Sequence, residues 1–147
     1  MLRYVDTIIG FSEVPDEISL CVNFSGCEIR CEGCHSSYLW EDIGEELTLD
    51  GLDALIGRNE GITCVCFMGG DPMWIGAYAR HVRKNHPIKI AWYTGLDMIP
   101  REIDLSDFDY VKLGRYDKES GGLDNPKTNQ RMYEIKDITY KFQKKRK

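Results

Sequence analysis

The sequence predicts an α/β fold in which a mostly parallel sheet curls into an open, partial (β/α) barrel. Three observations lead there. The apolar runs over 62–68 and 88–93 are continuous rather than alternating, the pattern of strands buried on both faces, as parallel strands are. Stretches of helical periodicity separate them, the order that builds right-handed strand-helix-strand crossovers. The 147 residues carry signals for about five or six strands and only two or three helices, short of the ~200 residues or more that a closed eightfold barrel occupies.

Element by element, Ile18, Leu20, Val22 and Phe24 fall on one face of a strand over 17–24 that delivers the chain into a cysteine-bearing loop. Thr48 can cap a helix whose apolar positions, Leu49, Leu52, Leu55 and Ile56, recur at helical spacing until Gly57 and Asn59 end the pattern. The strand over 62–68 ends in Gly69 and Gly70. A second helix over 73–84 turns Ile75, Ala79 and Val82 inward, and a strand over 88–93 then ends in Thr94 and Gly95. A further strand over 110–113 ends in Gly114. Residues 115–131, RYDKESGGLDNPKTNQR, are polar and turn-rich and read as a functional or mobile loop. Residues 132–142 are assigned as a final strand. The chain contains no internal repeat. Residues 1–140 make a single domain with one core, and 141–147, KFQKKRK, is a basic tail with the character of a solvated terminus, contact with an acidic partner being the alternative.

The net charge of −5 argues against general nucleic-acid binding, which wants a basic face. No stretch is apolar for long enough to cross a bilayer, and MLRYVDTIIG lacks the basic-then-apolar order of an export signal, so a cytoplasmic location is expected. There the six cysteines (Cys21, Cys27, Cys31, Cys34, Cys64 and Cys66) remain reduced, as ligands or core.

In parallel α/β sheets, ligands gather at the C-terminal edge of the strands. The unusual residues of this chain all fall there: the cysteine loop, the segment 69–72, Thr94 with Gly95, and Gly114. Cys27, Cys31 and Cys34 supply three soft ligands within eight residues, GCEIRCEGCH. An iron-sulfur cube ligated at three corners keeps one iron open for chemistry, whereas four cysteines would fill it. Other readings of the same residues stand beside this one. Zinc needs a fourth ligand, which His35, Cys64 or Cys66 could supply only with awkward geometry. Cys31-Glu32-Gly33-Cys34-His35 also spells a c-type haem attachment motif, which would leave Cys27 without a purpose. Buried structural thiols would find nothing to pack against in a loop rich in Glu and Arg.

The C-x3-C-x2-C order and spacing, followed by GGDP and YTG at sensible distances, resembles the radical S-adenosylmethionine (SAM) superfamily. Over about residues 5 to 135 the chain further resembles the activases of anaerobic ribonucleoside-triphosphate reductase, in its small size, VNFSGCEIRCEGCH, MGGDP, YTG and a late GGLDNPKTNQR. Gly33 stands where many superfamily members carry an aromatic residue, and the reductase activases commonly have glycine there. Activases of lyase type carry cysteine-rich insertions that this sequence lacks.

The resemblance implies a partial barrel of radical SAM type and two cofactors, a 4Fe-4S cluster on Cys27, Cys31 and Cys34 and S-adenosyl-L-methionine on its open iron. It implies that Gly69, Gly70, Asp71 and Pro72 stand for the superfamily's GGE-like motif at the amino group of SAM, with Asp71 one methylene shorter than the usual Glu. Thr94 and Gly95 would meet the SAM carboxylate or ribose. A reduced cluster would pass one electron to the sulfonium, and the resulting 5'-deoxyadenosyl radical would remove a Cα hydrogen from a glycine of the reductase large subunit. The implied partners are that subunit and a reducing electron donor such as flavodoxin, with no nucleic acid and no membrane. Another radical SAM enzyme, or a non-catalytic zinc or iron-sulfur module, is the alternative. Cys21, Cys64 and Cys66 are assigned to the core, and Trp40, Trp74 and Trp92 to packing. His35 and Ser36 are placed near the nucleoside, and Asn129, Gln130 and Arg131 at a loop surface or a partner contact.

Overall fold

The computed structural model describes residues 2–11, 13–14, 16–25, 44–96, 98–114 and 131–135. Along them run β1 (Arg3–Gly10), β2 (Ser19–Phe24), β3 (Glu45–Glu46), α1 (Leu49–Arg58), β4 (Cys64–Met68), α2 (Pro72–Asn85), β5 (Lys89–Tyr93), β6 (Tyr110–Leu113) and β7 (Arg131–Glu134). The strands form one sheet in the order β3-β1-β2-β4-β5-β6-β7. At its centre β2, β4, β5 and β6 pair in parallel. β1 pairs antiparallel with β2 and β3, and β6 with β7. The sheet is therefore mixed, with its parallel pairings confined to the four central strands. The parallel neighbours β4 and β5 need a crossover, which α2 provides, whereas β1 and β2 are joined by a short connection and pair as a hairpin. The sequence expectation has no strand before residue 17, yet β1 is marked by its β-branched residues Val5, Thr7, Ile8 and Ile9.

Side chains on the first face of the sheet form the main core. Leu20, Val65 and Ile90 lie in one row of the register, and Val22, Phe67, Trp92 and Val111 in the next. Onto them pack Leu52, Leu55 and Ile56 of α1 and Ile75, Tyr78, Ala79 and Val82 of α2. Tyr78 stacks on Phe24 at 5.9 Å between centroids. Its buried hydroxyl donates to the Leu47 carbonyl at 2.8 Å and accepts from the Leu2 amide, satisfying a polar group inside the core.

Local chemistry sets the helix ends. Thr48 caps α1 by accepting from the Gly51 amide at 2.9 Å, and Asn59 stops it. α2 begins one residue before the expected start, because Asp71 is its N-cap and Pro72 sits in its first turn, where a missing amide proton is harmless.

The second face is buried as well, so β2 is not the half-exposed strand that its alternation suggests. Cys21, Cys64, Cys66, Ala91 and Tyr110 form a smaller cluster there under Val14 of the β1–β2 connection. Tyr93 fastens that connection by donating its hydroxyl to the Glu13 carbonyl, and Lys89 pairs with Glu17 at 3.0 Å. Cys21 and Cys66 are direct partners in the β2–β4 register. Burial pushes the Cys64 thiol up to about 12. The hydrogen bond with Cys21, together with burial, holds the Cys66 thiol well above its ordinary value. Cys64 and Cys66 are therefore protonated thiols, and all three cysteines are buried in the core, matching their assignment from sequence.

A polar clasp joins the two helices. Asp53 of α1 meets Nε2 of His81 at 2.9 Å and of His86 at 2.7 Å. Burial works to raise the Asp53 carboxyl, but the hydrogen bonds and charges of His86 and His81 carry it below its ordinary value. A carboxylate depressed by folding adds stability that is complete above its unfolded pKa of ~4 and fades as pH falls through the depressed value. Denaturation of wild type and Asp53→Asn should show a stability gap that is present at neutral pH and closes on acidification. A gap that widened toward low pH would contradict this account.

Candidate functional site

The parallel strands β2, β4, β5 and β6 deliver their following segments to one edge of the sheet, which is the physical basis of the site. The last row of the register on the second face reads Asn23, Met68, Tyr93 and Lys112 across the four strands. Immediately beyond it come Ser25, Gly69, Thr94 and Gly114. Asn23, Ser25, Thr94 and Lys112 are buried, so polar groups are concentrated at this end of the molecule. The segment with Cys27, Cys31 and Cys34 follows Ser25 in the chain, but all three cysteines lie outside the described residues, as do His35, Ser36, Trp40, Asn129 and Gln130. Among the described residues, no group of three or more His, Cys, Asp or Glu side chains forms a metal site.

Gly69 and Gly70 turn the chain from β4 into α2 with φ of 83° and 93°, a left-handed conformation that glycine adopts freely. Among the described residues nothing lies within 4 Å of where a Cβ of Gly69 would stand. Its backbone is held from both sides, donating to the Tyr93 carbonyl at 2.7 Å and accepting from Trp92 Nε1 at 2.8 Å. Gly70 is different, since a Cβ there would stand 2.7 Å from Ile75 Cδ1 and 2.9 Å from Leu2 Cδ1. Gly69→Ala should lower stability by roughly 1–2 kcal/mol through its backbone alone. Gly70→Ala should lower it further, because overpacking adds about 1–3 kcal/mol. Thermal denaturation of the two variants checks the order, and equal losses would show that Ile75 and Leu2 give way.

Asp71 is exposed, and its Oδ1 accepts from the Met73 amide at 2.9 Å. Oδ2 has no partner among the described residues, so one carboxylate serves the helix cap and still has an acceptor to offer a cation. Thr94 donates its amide to the Lys112 carbonyl, and its buried Oγ1 accepts from the Leu96 amide at 3.2 Å, which leaves the hydroxyl proton to be placed elsewhere. Gly95 follows directly and is partly buried.

The register adds residues that the sequence reading passed over. Lys112 is buried, with Nζ 3.0 Å from the Gly114 carbonyl and 5.5 Å from the centre of the Tyr93 ring. Asn23 donates to Asp6 Oδ1 at 2.6 Å. A lone lysine inside the strand YVKL was the available signal for Lys112. Asn23 gave none, because its role depends on β1 bringing Asp6 alongside.

The edge thus combines an open glycine backbone, an exposed carboxylate, buried hydroxyl groups and a buried ammonium. This donor set fits a small zwitterionic ligand with a polar body, and SAM has that chemistry. Among the described residues no helix is long and apolar enough to cross a membrane.

The sequence profile of a protein family described as a 4Fe-4S single cluster domain matches residues 18–116, about two thirds of the chain. No match to curated proteins or to solved structures accompanies it.

Proposed function

This chain belongs to the 4Fe-4S single cluster domain family, and from that premise we propose that it is a radical SAM activase that installs a glycyl radical on the anaerobic ribonucleoside-triphosphate reductase. One observation carries the proposal. The segments that follow β2, β4 and β5, bearing the three-cysteine motif, GGDP and YTG, leave adjacent parallel strands at the same edge of the sheet. In a binding module that only stored or passed electrons, the second and third of these would serve the β4–α2 turn and the end of β5 alone, whereas SAM gives all three a common ligand at one edge.

Cys27, Cys31 and Cys34 would hold the cluster, and as three ligands they would leave one iron for SAM. Together the cluster and SAM supply one-electron cleavage chemistry that ends in removal of a Cα hydrogen from a glycine of the partner. Asp71 would take the ammonium of SAM while its Oδ1 stays on the Met73 amide. Gly69 presents bare backbone to the ligand, Gly70 and Pro72 set the turn that aims Asp71, and Thr94 with Gly95 meets the carboxylate or ribose. In this arrangement the mixed sheet would belong to a partial barrel of radical SAM type with a rim open to the partner's polypeptide, and a flavodoxin-like protein would be the electron donor.

The deciding experiment is anaerobic reconstitution with iron and sulfide, reduction, addition of SAM, and quantification of 5'-deoxyadenosine and methionine. Both products in equal amounts, with a cluster spectrum that SAM perturbs, are the expected result. An electron paramagnetic resonance signal of a glycyl radical on added reductase then identifies the substrate. Zinc bound in place of iron, or a fully reduced cluster that leaves SAM intact with the reductase present, would overturn the reading.

A further inference from the structure

Among the described residues, the large apolar side chains that stand exposed fall into two groups. Ile8, Ile9, Phe11 and Ile18 lie where β2 begins, at the end of the sheet away from the candidate site. Met73, 66% exposed, and Met98, 78% exposed, lie at the other end, beside the site itself. Met73 stands in the first turn of α2, shortly after Asp71, and Met98 shortly after Thr94 and Gly95. Both therefore sit on segments that leave the C-terminal ends of the adjacent parallel strands β4 and β5. The two segments meet again beyond the methionines. A Cβ at Gly76, about one turn further along α2 than Met73, would stand 3.4 Å from the Glu102 carbonyl and 3.8 Å from Ile103 Cδ1. Loose backbone is not what exposes either methionine. Trp74 and Ile75 follow Met73 into the main core, and Leu96 and Ile99 pack against that core on either side of Met98. The Leu96 carbonyl also accepts from the Gly114 amide at 2.7 Å, and the Met73 amide donates to Asp71. Anchored segments thus hold two apolar side chains out in solvent at the rim of the site.

We propose that Met73 and Met98 form the docking contact for the substrate polypeptide, and that the partner meets them with apolar side chains beside the glycine that loses its hydrogen. The inference rests on the proposed function. Removal of a Cα hydrogen brings the partner's main chain into atomic contact with SAM, so the polypeptide must cross the surface bordering Asp71, Thr94 and Gly95. The side chains on that border decide which polypeptide fits. A charged rim keeps its water and selects a polar partner, whereas two thioethers shed water against an apolar one and gain from the burial. Methionine is unbranched and polarisable, so it moulds itself to a segment that must change shape as its glycine is drawn in. The two methionines stand on different segments, one after β4 and one after β5, and so hold the polypeptide at two points rather than one. The exposed group at the opposite end serves this purpose poorly. It lies about the length of β2 away, ~20 Å, too far to touch the residues beside the glycine.

Glycyl-radical formation on added reductase large subunit, followed by electron paramagnetic resonance as the reductase concentration is varied, tests the proposal in the cluster-loaded full chain. The double variant Met73→Lys with Met98→Lys should keep its circular dichroism and cluster spectra and cleave SAM without reductase at the wild-type rate. It should need about tenfold more reductase for half-maximal radical formation, the loss typical of a removed anchor residue. Met73→Leu with Met98→Leu keeps the apolar surface and should activate as the wild type does, as should Phe11→Lys at the opposite end. A photoreactive diazirine side chain at position 98 should cross-link to the glycine-bearing segment of the reductase. Wild-type reductase dependence in the lysine variant would overturn the proposal, as would a cross-link only to a second copy of this chain. Loss of reductase-independent SAM cleavage in the lysine variant would overturn it too, because the methionines would then serve SAM rather than the partner. A wild type that leaves SAM intact with the reductase present is a separate failure, that of the proposed function, and the inference falls with it.

Discussion

Cys31→Ala should emerge from anaerobic reconstitution without a 4Fe-4S absorption spectrum and yield no 5'-deoxyadenosine, whereas Cys66→Ala should retain both. The contrast follows from where the thiols stand. Three cysteines within one short segment supply every protein ligand the cluster has in the proposed arrangement, so loss of one removes a third of them. The effect should exceed the ~10–100-fold loss typical of a partner that merely supports a ligand. Cys66, by contrast, is fully buried on the second face of the sheet. Its hydrogen bond with Cys21 and its burial keep the thiol protonated, and it is the thiolate that binds metal. Its removal should lower stability by about 1 kcal/mol and leave iron content unchanged. Iron and sulfide analysis beside the ultraviolet-visible spectrum decides the matter, and a folded Cys66→Ala protein without cluster would transfer the ligand assignment to that residue.

Trp92→Ala should destabilise the fold by about 3–5 kcal/mol, a large part of the ~5–15 kcal/mol that holds an ordinary domain together. Trp92 is completely buried in the first-face core, aligned with Phe67 and Val111 in the register and 6.1 Å from the Phe108 ring. It also reaches the site, because Nε1 donates to the Gly69 carbonyl. Trp92→Phe separates the two roles. The ring is largely preserved while the carbonyl loses its buried donor, a change of roughly 1–3 kcal/mol. Under the proposed function this variant should keep its cluster spectrum and show a raised apparent KM for SAM, since the turn that aims Asp71 has lost an anchor. Thermal denaturation measures the first effect and the SAM dependence of cleavage the second. An unchanged KM in a folded Trp92→Phe protein would show that the turn is held by the Gly69 amide alone.

Elements governed by local chemistry were legible in the sequence. α1 carries its own cap in Thr48 and its own stop in Asn59, and the inward positions of both helices recur at helical spacing. β4 and β5 show continuous apolar runs because a central parallel strand must be apolar on both faces. The glycines at 69 and 70 mark a turn because few other residues tolerate its backbone. The same glycines illustrate the limit of such reading. Nothing in the pair GG distinguishes Gly69, whose Cβ would meet none of the described residues, from Gly70, which is wedged against Ile75 and Leu2. Asp71 shows a similar division: sequence assigned it a ligand role, and the structure adds that one of its oxygens caps α2.

By itself the sequence determined the two helices and the four central strands β2, β4, β5 and β6 in their order, the cluster-type spacing of Cys27, Cys31 and Cys34, and the positions at which GGDP and YTG interrupt regular structure. These are properties of neighbours in the chain, set by backbone preference and side-chain periodicity over a few residues. Only the tertiary structure decided that β1 flanks β2, that Asn23, Met68, Tyr93 and Lys112 form one row at the C-terminal edge, and that Trp92 holds Gly69. Those relations depend on strand pairing and register between segments far apart in the chain, and a shift of one residue in register would exchange the two faces of the sheet without changing any local pattern.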